Sequence, residues 1–387
     1  MKFVIVTHAA HIFKEGKVYA YGPYVREMNL WAKFVDEIII VAPMSKEEPS
    51  SIHLAYAHSN LKVSVIPAIS LMSFSEIIRA ICFTPIIKWK IFVAFLKADH
   101  IHLRCPGNIG LLGAIIQVFF PKKMKTAKYA GNWDPKAIQP LSYRLQKKVL
   151  CNTFLTKNMQ VLVYGDWPGQ TKNVKSFFTA TYSINEISTT EESVSKLQDA
   201  EKIDKALTNT NQFKFLYVGA LTAGKQPLLS VQIIRKLIEM QYDVHLELYG
   251  EGEERSRLSQ YIHENDLLDH VTLHGNVSKE ALKDAYKWSD FLLFISKSEG
   301  WPKVVTEAMF WGCLPVSSRV SCVPNMLDYG NRGALVDAKI DQIVAVLESY
   351  MLDEKKYKEQ VKGAITWSRQ FTLEKFEAEI GKLIYFN

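Results

Sequence analysis

Twice along this chain, short runs of β-branched and other apolar residues recur with an amphipathic stretch between one run and the next, and that alternation leaves few folds open. In the first half the runs are Lys2–Val6, Glu37–Val41, Leu61–Ile66, His100–Leu103, Lys125–Ala130 and Gln160–Tyr164. Helical periods fall between them at Pro23–Phe34, across Ser75–Lys97 with a break at Pro85, at Asn108–Phe120 and at Gln139–Leu150. The second series is Phe213–Val218, Val244–Tyr249, His270–Leu273, Phe291–Ile295 and Leu314–Ser317, with Gly- or Ser-bearing loops and helical periods after the strands. A strand that feeds a helix and then a parallel strand builds a doubly wound sheet, so the expected fold is α/β with two Rossmann-like domains.

At 387 residues the chain exceeds one ordinary hydrophobic core. Between the two series, from about Tyr182 to Asn211, the sequence turns polar and loses the apolar content of a core element. The expected division is therefore a first domain over 1–183, a polar linker over 184–211 with a short helix near Glu192–Ala206, and a second domain over 212–371. A last helical period over 372–387, with Phe376, Ile380 and Leu383 on one stripe, is assigned back to the first domain.

Five scattered cysteines with no paired spacing and no companion His point to a reducing compartment and no structural metal. The opening run is too short for a signal-peptide core and reads as a first buried strand, and a cytoplasmic location is expected. No apolar run reaches a membrane-spanning length: Leu71–Leu96 carries Glu76, Arg79, Lys88 and Lys90, and Ile109–Phe120 reads as a buried helix. Charge is unevenly spread. Residues 1–183 hold 23 Lys and Arg against 10 Asp and Glu, a balance of +13, while the remainder holds 24 against 30, a balance of −6. Such a basic half either draws anionic partners, an anionic membrane face among them, or is a solvated surface. No nucleic-acid partner is expected.

In doubly wound sheets ligands bind beyond the carboxyl ends of the strands, which directs attention to the loop after Phe291–Ile295. That loop, Ser296-Lys-Ser-Glu-Gly-Trp, leads into a helix expected from Pro302 to Trp311, with Pro at its start and Gly312 past its end. Its first turn offers backbone N–H groups and a partial positive charge, and Lys303 there is best matched by an anion such as a diphosphate. Glu299 lies in the loop and Glu307 more than one turn inside the helix. Carboxylates suit sugar hydroxyls, because each oxygen accepts hydrogen bonds strengthened by charge. Two acids at this spacing arise by chance in many helices; the strand, turn, proline and following strand make the combination specific.

With these residues in place, the chain resembles retaining glycosyltransferases of family 4, the glycosyl transferases group 1, over 213–336 and more loosely elsewhere. The resemblance implies the GT-B fold, two domains facing a central cleft, a nucleoside-diphosphate sugar as donor, and no metal or other cofactor. By the same analogy Glu299 contacts the donor sugar and Glu307 the nucleotide ribose, with Gly300, Trp301, Lys303 and Val304 beside them. The stretch Val218-Gly-Ala-Leu-Thr-Ala-Gly-Lys225 keeps the family's Gly219 and Lys225 but has Ala220 where an Arg is usual. The loops holding Gly250 and Gly275-Asn276-Val277 match those that border the nucleotide.

The first half departs further. A family His near the donor sugar is replaced in Tyr129-Ala-Gly-Asn-Trp-Asp134, where Asn132 or Asp134 stands instead. Gly16 is assigned to a lengthened form of the usual Gly-rich loop, Arg104 to an anion contact, and His8, His11 and His102 either to the cleft or to ordinary polar positions. The implied activity is hexosyl transfer to a glycan or lipid-linked acceptor, in polysaccharide or glycolipid synthesis. The alternatives are a GT-B protein that binds a nucleotide sugar without transfer, or another GT-B enzyme such as a sugar epimerase.

Overall fold

A computed structural model describes residues 1–50, 52–70, 73–187 and 212–385; the helix expected near 192–206 lies outside them. The chain divides into two compact units, one of Met1–Phe177 with Phe376–Asn387 and one of Phe178–Lys375.

In the first unit the elements are β1 (Lys2–Val6), β2 (Ile12–Lys14), β3 (Lys17–Tyr21), α1 (Gly22–Ala32), β4 (Glu37–Ala42), β5 (His53–Ala55), β6 (Leu61–Val65) and α2 (Phe74–Lys97). They continue as β7 (His100–Cys105), α3 (Asn108–Ile116), β8 (Met124–Tyr129), α4 (Leu141–Cys151), β9 (Met159–Tyr164) and β10 (Val174–Phe177). Seven strands form one parallel sheet in the order β10-β9-β8-β7-β1-β4-β6. A parallel sheet is covered on both faces, which is why β1 and β9 are almost wholly apolar and buried. Even polar side chains are enclosed here. Lys125 donates to the Phe120 carbonyl at 2.8 Å, and its burial lowers its pKa to about 8. The Lys128 ammonium lies 4.4 Å from the Phe177 ring centre and 4.5 Å from that of Tyr164.

Three expectations need correction. The stretch from Thr7 to Gly16 is not a simple loop, because β2 and β3 pair as an antiparallel hairpin, joined by β5. Its strands are short and largely exposed, so their apolar alternation is faint. The period across Ser75–Lys97 is one continuous helix despite Pro85. The Pro sits on the exposed side, where water can bond the carbonyl it frees at Ile81. His102 does not face a cleft: it is fully buried, its ring 4.6 Å from that of Trp31, and its Nδ1 shares Thr126 Oγ1 with His100. His11 is likewise enclosed, hydrogen-bonded to Tyr56 Oη at 2.9 Å.

The second unit contains β11 (Phe213–Val218), α5 (Pro227–Glu239), β12 (Val244–Tyr249), α6 (Arg255–Glu264), β13 (Val271–Gly275), α7 (Lys279–Trp288), β14 (Phe291–Phe294) and α8 (Lys303–Trp311). After these come β15 (Leu314–Ser318), α9 (Val323–Met326), β16 (Ala334–Val336), α10 (Ile340–Met351) and α11 (Glu354–Ser368). The sheet order is β13-β12-β11-β14-β15-β16, all parallel. The chain leaves β11 to one side for β12 and returns to its other side as β14, so the strand order reverses between β11 and β14. That switch point is where a doubly wound sheet opens a crevice. A last helix, α12 (Leu373–Ile384), begins in the second unit; its later residues belong to the first, where Phe376 packs on Phe177 at 5.4 Å.

Candidate active site

The site grows from the two loops that leave the switch point. After β11 the chain turns at Thr222, whose carbonyl accepts the Lys225 and Gln226 N–H groups, and Pro227 then opens α5. After β14 the Ser296 N–H donates to Ser318 Oγ at 3.0 Å, and Ser318 Oγ donates back to the Ser296 carbonyl at 2.7 Å. A third link joins the loops to each other: the Lys297 N–H donates to the Gly224 carbonyl at 2.9 Å. These backbone ties bring Lys225 and Glu299 together. The Lys225 ammonium pairs with Glu299 Oε1, which also accepts Ser296 Oγ at 2.7 Å. Both side chains are mostly enclosed, at 28% and 12% exposure, so the pair is only partly screened by water. The ammonium also lies 5.1 Å from the Phe294 ring centre.

Pro302 caps α8 from the residue before its first turn, one position earlier than the sequence suggests, and Gly312 ends the helix in the left-handed conformation at φ 84°. The Gly300 carbonyl, accepting from Ser321 Oγ at 2.7 Å and Cys322 Sγ at 3.3 Å, fixes the turn that aims Glu299. One helical turn on, Glu307 is held at both oxygens: Oε1 accepts from Thr181 Oγ1 at 2.7 Å and Oε2 from Tyr286 Oη at 3.1 Å. Burial, with the Glu307 charge second, holds the Tyr286 phenol well above its usual pKa, so it stays a donor. Between Glu307, Lys303, Trp301, Thr306 and Thr181 lies a recess of about 10 Å³, room for about one water.

Gly219, Gly250 and Gly275 stand at the ends of three neighbouring strands and are laced together. The Gly219 N–H donates to the Tyr249 carbonyl at 2.9 Å and the Gly250 N–H to the Gly275 carbonyl at 2.8 Å. A Cβ on Gly250 would lie 1.9 Å from the Gly219 carbonyl oxygen, so no other residue fits. Ala220 is exposed, and its carbonyl accepts Tyr217 Oη at 2.9 Å. Asn276 and Val277 are exposed in the loop after β13. Val304 lies half-buried beside Lys303 in the first turn of α8.

The remaining candidates belong to the first unit and serve local roles there. Gly16 is at the exposed tip of the β2–β3 hairpin, with φ 74°. Arg104 pairs with Glu27 at 2.7 Å and lies over the Tyr24 ring, so its charge is already matched. Asn132 Oδ1 accepts the Asp134 N–H at 2.9 Å and Asp134 Oδ1 the Lys136 N–H at 2.8 Å, making both carboxamide and carboxylate loop-formers. Ser296, Ser318, Thr181 and Tyr286 were not singled out from sequence. Ser318 closes β15 and Ser296 lies just past β14, so both had a positional signal; Thr181 and Tyr286 are distant in sequence and had none.

Residues 198–367 match the family described as Glycosyl transferases group 1. Over 179 residues, 44% of this chain and 40% of the relative, the chain is 23% identical to the phosphatidylinositol N-acetylglucosaminyltransferase GPI3 subunit of Saccharomyces cerevisiae. It is 30% identical over 175 residues to the Escherichia coli O-antigen biosynthesis glycosyltransferase WbnH, covering 45% of this chain and 47% of that one. The chain thus spans less than half the length of the curated relatives it matches. Among solved structures, Anabaena HepE in complex with UDP and glucose is similar over 100% of both chains, at 14% identity and a TM-score of 0.66, and this likeness establishes the GT-B fold. With a switch-point site of this composition and that match, the second unit carries a region of the Glycosyl transferases group 1 type.

Proposed function

We propose that this protein is a retaining glycosyltransferase that moves a sugar from a nucleoside-diphosphate sugar to an acceptor hydroxyl, in the synthesis of a cell-surface polysaccharide or glycolipid. The observation that carries the reading is the meeting of Lys225, Glu299 and Ser296 where the strand order reverses, beside the first turn of α8. In this reading Lys225, Lys303 and the α8 N–H groups stabilise a departing diphosphate, the kind of preorganised charge that contributes most to such transfers. The Lys225 and Ser296 bonds both fall on Glu299 Oε1, which leaves Oε2 to accept a donor-sugar hydroxyl. Glu307, held by Thr181 and Tyr286, accepts from the ribose.

Retention follows from the family resemblance. With no second carboxylate bonded to the Lys225–Glu299–Ser296 cluster among the described residues, a front-side displacement assisted by the leaving diphosphate is the mechanism proposed. Anabaena HepE, similar in fold, was solved with UDP and glucose, which makes UDP the first nucleotide to test.

A second reading, binding without transfer, is favoured by Ala220 in place of the usual Arg and by the use of Asn132 to shape its own loop. Thermal shift against UDP, GDP, ADP and their sugars, followed by donor hydrolysis, separates the two. Transfer predicts stabilisation by one nucleotide class and slow hydrolysis that disappears in Glu299→Ala. Stabilisation with no turnover over a broad acceptor panel would select the binding reading, and no stabilisation by any nucleotide would overturn both.

A further inference from the structure

Helix α2 has two apolar faces, and only one of them is used inside the protein. Ala80, Ile87, Ile91, Ala94 and Phe95 are buried against the sheet. On the other side Phe74, Ile77, Ile78, Ile81, Trp89 and Leu96 are exposed, with Trp89 at 65% and Phe74 at 79%. Steps of three, four, seven and eight residues place these side chains on one continuous stripe. At 1.5 Å per residue, the helix presents this stripe along about 36 Å. A folded chain rarely leaves an apolar surface of this extent uncovered.

The rim of the stripe is basic. Arg79 and Lys97 are exposed along its edge, Lys88 stands on it one heptad after Ile81, and the helix's one acid, Glu76, accepts instead from Ser70 Oγ at 2.8 Å. Neighbouring elements extend the pattern: α3 packs beside α2, Phe120 just beyond α3 meets Phe92, and α4 packs beside α3, adding exposed Phe119, Leu141 and Leu145 with Lys122, Arg144 and Lys148. From Phe74 to Lys157 the chain carries fourteen Lys and Arg against three Asp and Glu, a balance of +11, with Arg104, Lys125 and Lys128 enclosed and the other eleven basic residues outside the core. Most of the basic excess of the first half is therefore gathered in the segment that bears the exposed apolar residues.

We propose that this face docks on an anionic lipid surface, with α2 lying in the plane of the interface. No helix among the described residues is long and apolar enough to cross a membrane. An apolar stripe edged by Lys and Arg instead suits the boundary between headgroups and acyl chains. A second copy of the chain is a poorer occupant, because a symmetric pairing through this face would bring like-charged rims together. The bilayer offers what the face lacks on both counts, hydrocarbon for the stripe and negative charge for the rim.

The test is flotation of the full chain with vesicles of phosphatidylcholine alone and of phosphatidylcholine mixed equally with phosphatidylglycerol. Flotation is expected with the anionic vesicles, falling as salt is raised. Replacing Ile78 and Trp89 together by Asp should weaken it about tenfold or more, and Arg79→Glu with Lys88→Glu by a similar factor, since each basic residue near such a surface contributes about 1 kcal/mol. All four positions are exposed, so the melting temperature of each variant should match the parent, and that measurement guards against misfolding. Absence of flotation with anionic vesicles would overturn the proposal, as would equal flotation by the Asp variant. It would also fall if the chain dimerised in solution, failed to float, and became monomeric in the Asp variant, for then a second copy covers the face.

Discussion

Lys225 and Glu299 lie 74 residues apart, on loops that leave two neighbouring strands, and form an ion pair that Ser296 completes. Each group holds the other where a donor is proposed to bind: the lysine orients the carboxylate, and the carboxylate keeps the lysine from pointing into solvent. Glu299→Gln preserves the shape and removes the charge, and is expected to lower kcat/KM for the donor by about 10²-fold. Lys225→Ala should cost a similar factor. Because the two act as one unit, the double variant should be little worse than either single one, which steady-state kinetics on all four proteins would reveal.

Glu307 is built differently, with both oxygens already occupied by Thr181 and Tyr286. A group so fixed contributes binding that does not change along the reaction. Glu307→Leu is thus expected to raise the donor KM by about ten- to hundredfold, the loss of a charged hydrogen bond, while kcat stays nearly the same. Tyr286→Phe removes one support and should raise KM only a few-fold. A matching fall in kcat for either variant would mean that Glu307 acts in the transition state instead.

Gly250 tests the backbone of the site without touching its charges. Its φ of 142° and the 1.9 Å approach to the Gly219 carbonyl leave no place for a methyl group. Gly250→Ala is expected to destabilise the second unit by roughly 3 kcal/mol or more. Gly224→Ala, in the same loop system, meets nothing closer than 3.9 Å and should change stability by no more than about 0.5 kcal/mol. Thermal melts of both variants beside the parent decide the comparison.

The second unit was legible in the sequence because the strand that leads into its key loop, Phe291–Phe294, is fully buried and reads as an uninterrupted apolar run. Its key loop is bounded by a proline and a glycine whose backbone roles have few alternatives, Pro302 and Gly312. What escaped was the wiring across distance. Thr181 sits in a polar stretch that reads as a boundary, and nothing local connects it with Glu307. In the first unit the sequence misplaced His102, since a polar residue near a strand end suggests a ligand. Here it fills a buried slot between Phe3 and Trp31 and pairs with a threonine from the next strand. The β2–β3 hairpin was missed for the opposite reason, being too short and too wet to show alternation. Helix α2 carried a legible apolar content but not its outcome, because periodicity cannot tell whether one or two faces of a helix are covered.

The buried histidines of the first unit make its stability depend on pH in a definite direction. Burial lowers the pKa of His100 to about 4 and that of His11 to about 4, and holds His102 well below its usual value, with the Arg104 charge adding to the effect. All three are neutral in the fold, whereas in the unfolded chain they bind protons near the ordinary histidine value of about 6.5. Between these values the unfolded state holds more protons, so stability is fully present above about pH 6.5 and falls as the pH drops toward about 4. One such group contributes roughly 3 kcal/mol over that window. Melting temperature measured from about pH 8 down to about 4.5 should therefore stay level at first and then decline steeply. His102→Phe keeps a ring between Phe3 and Trp31 and leaves Thr126 to His100 alone. Its decline should be shallower than the parent's, and an unchanged slope would remove His102 from the account.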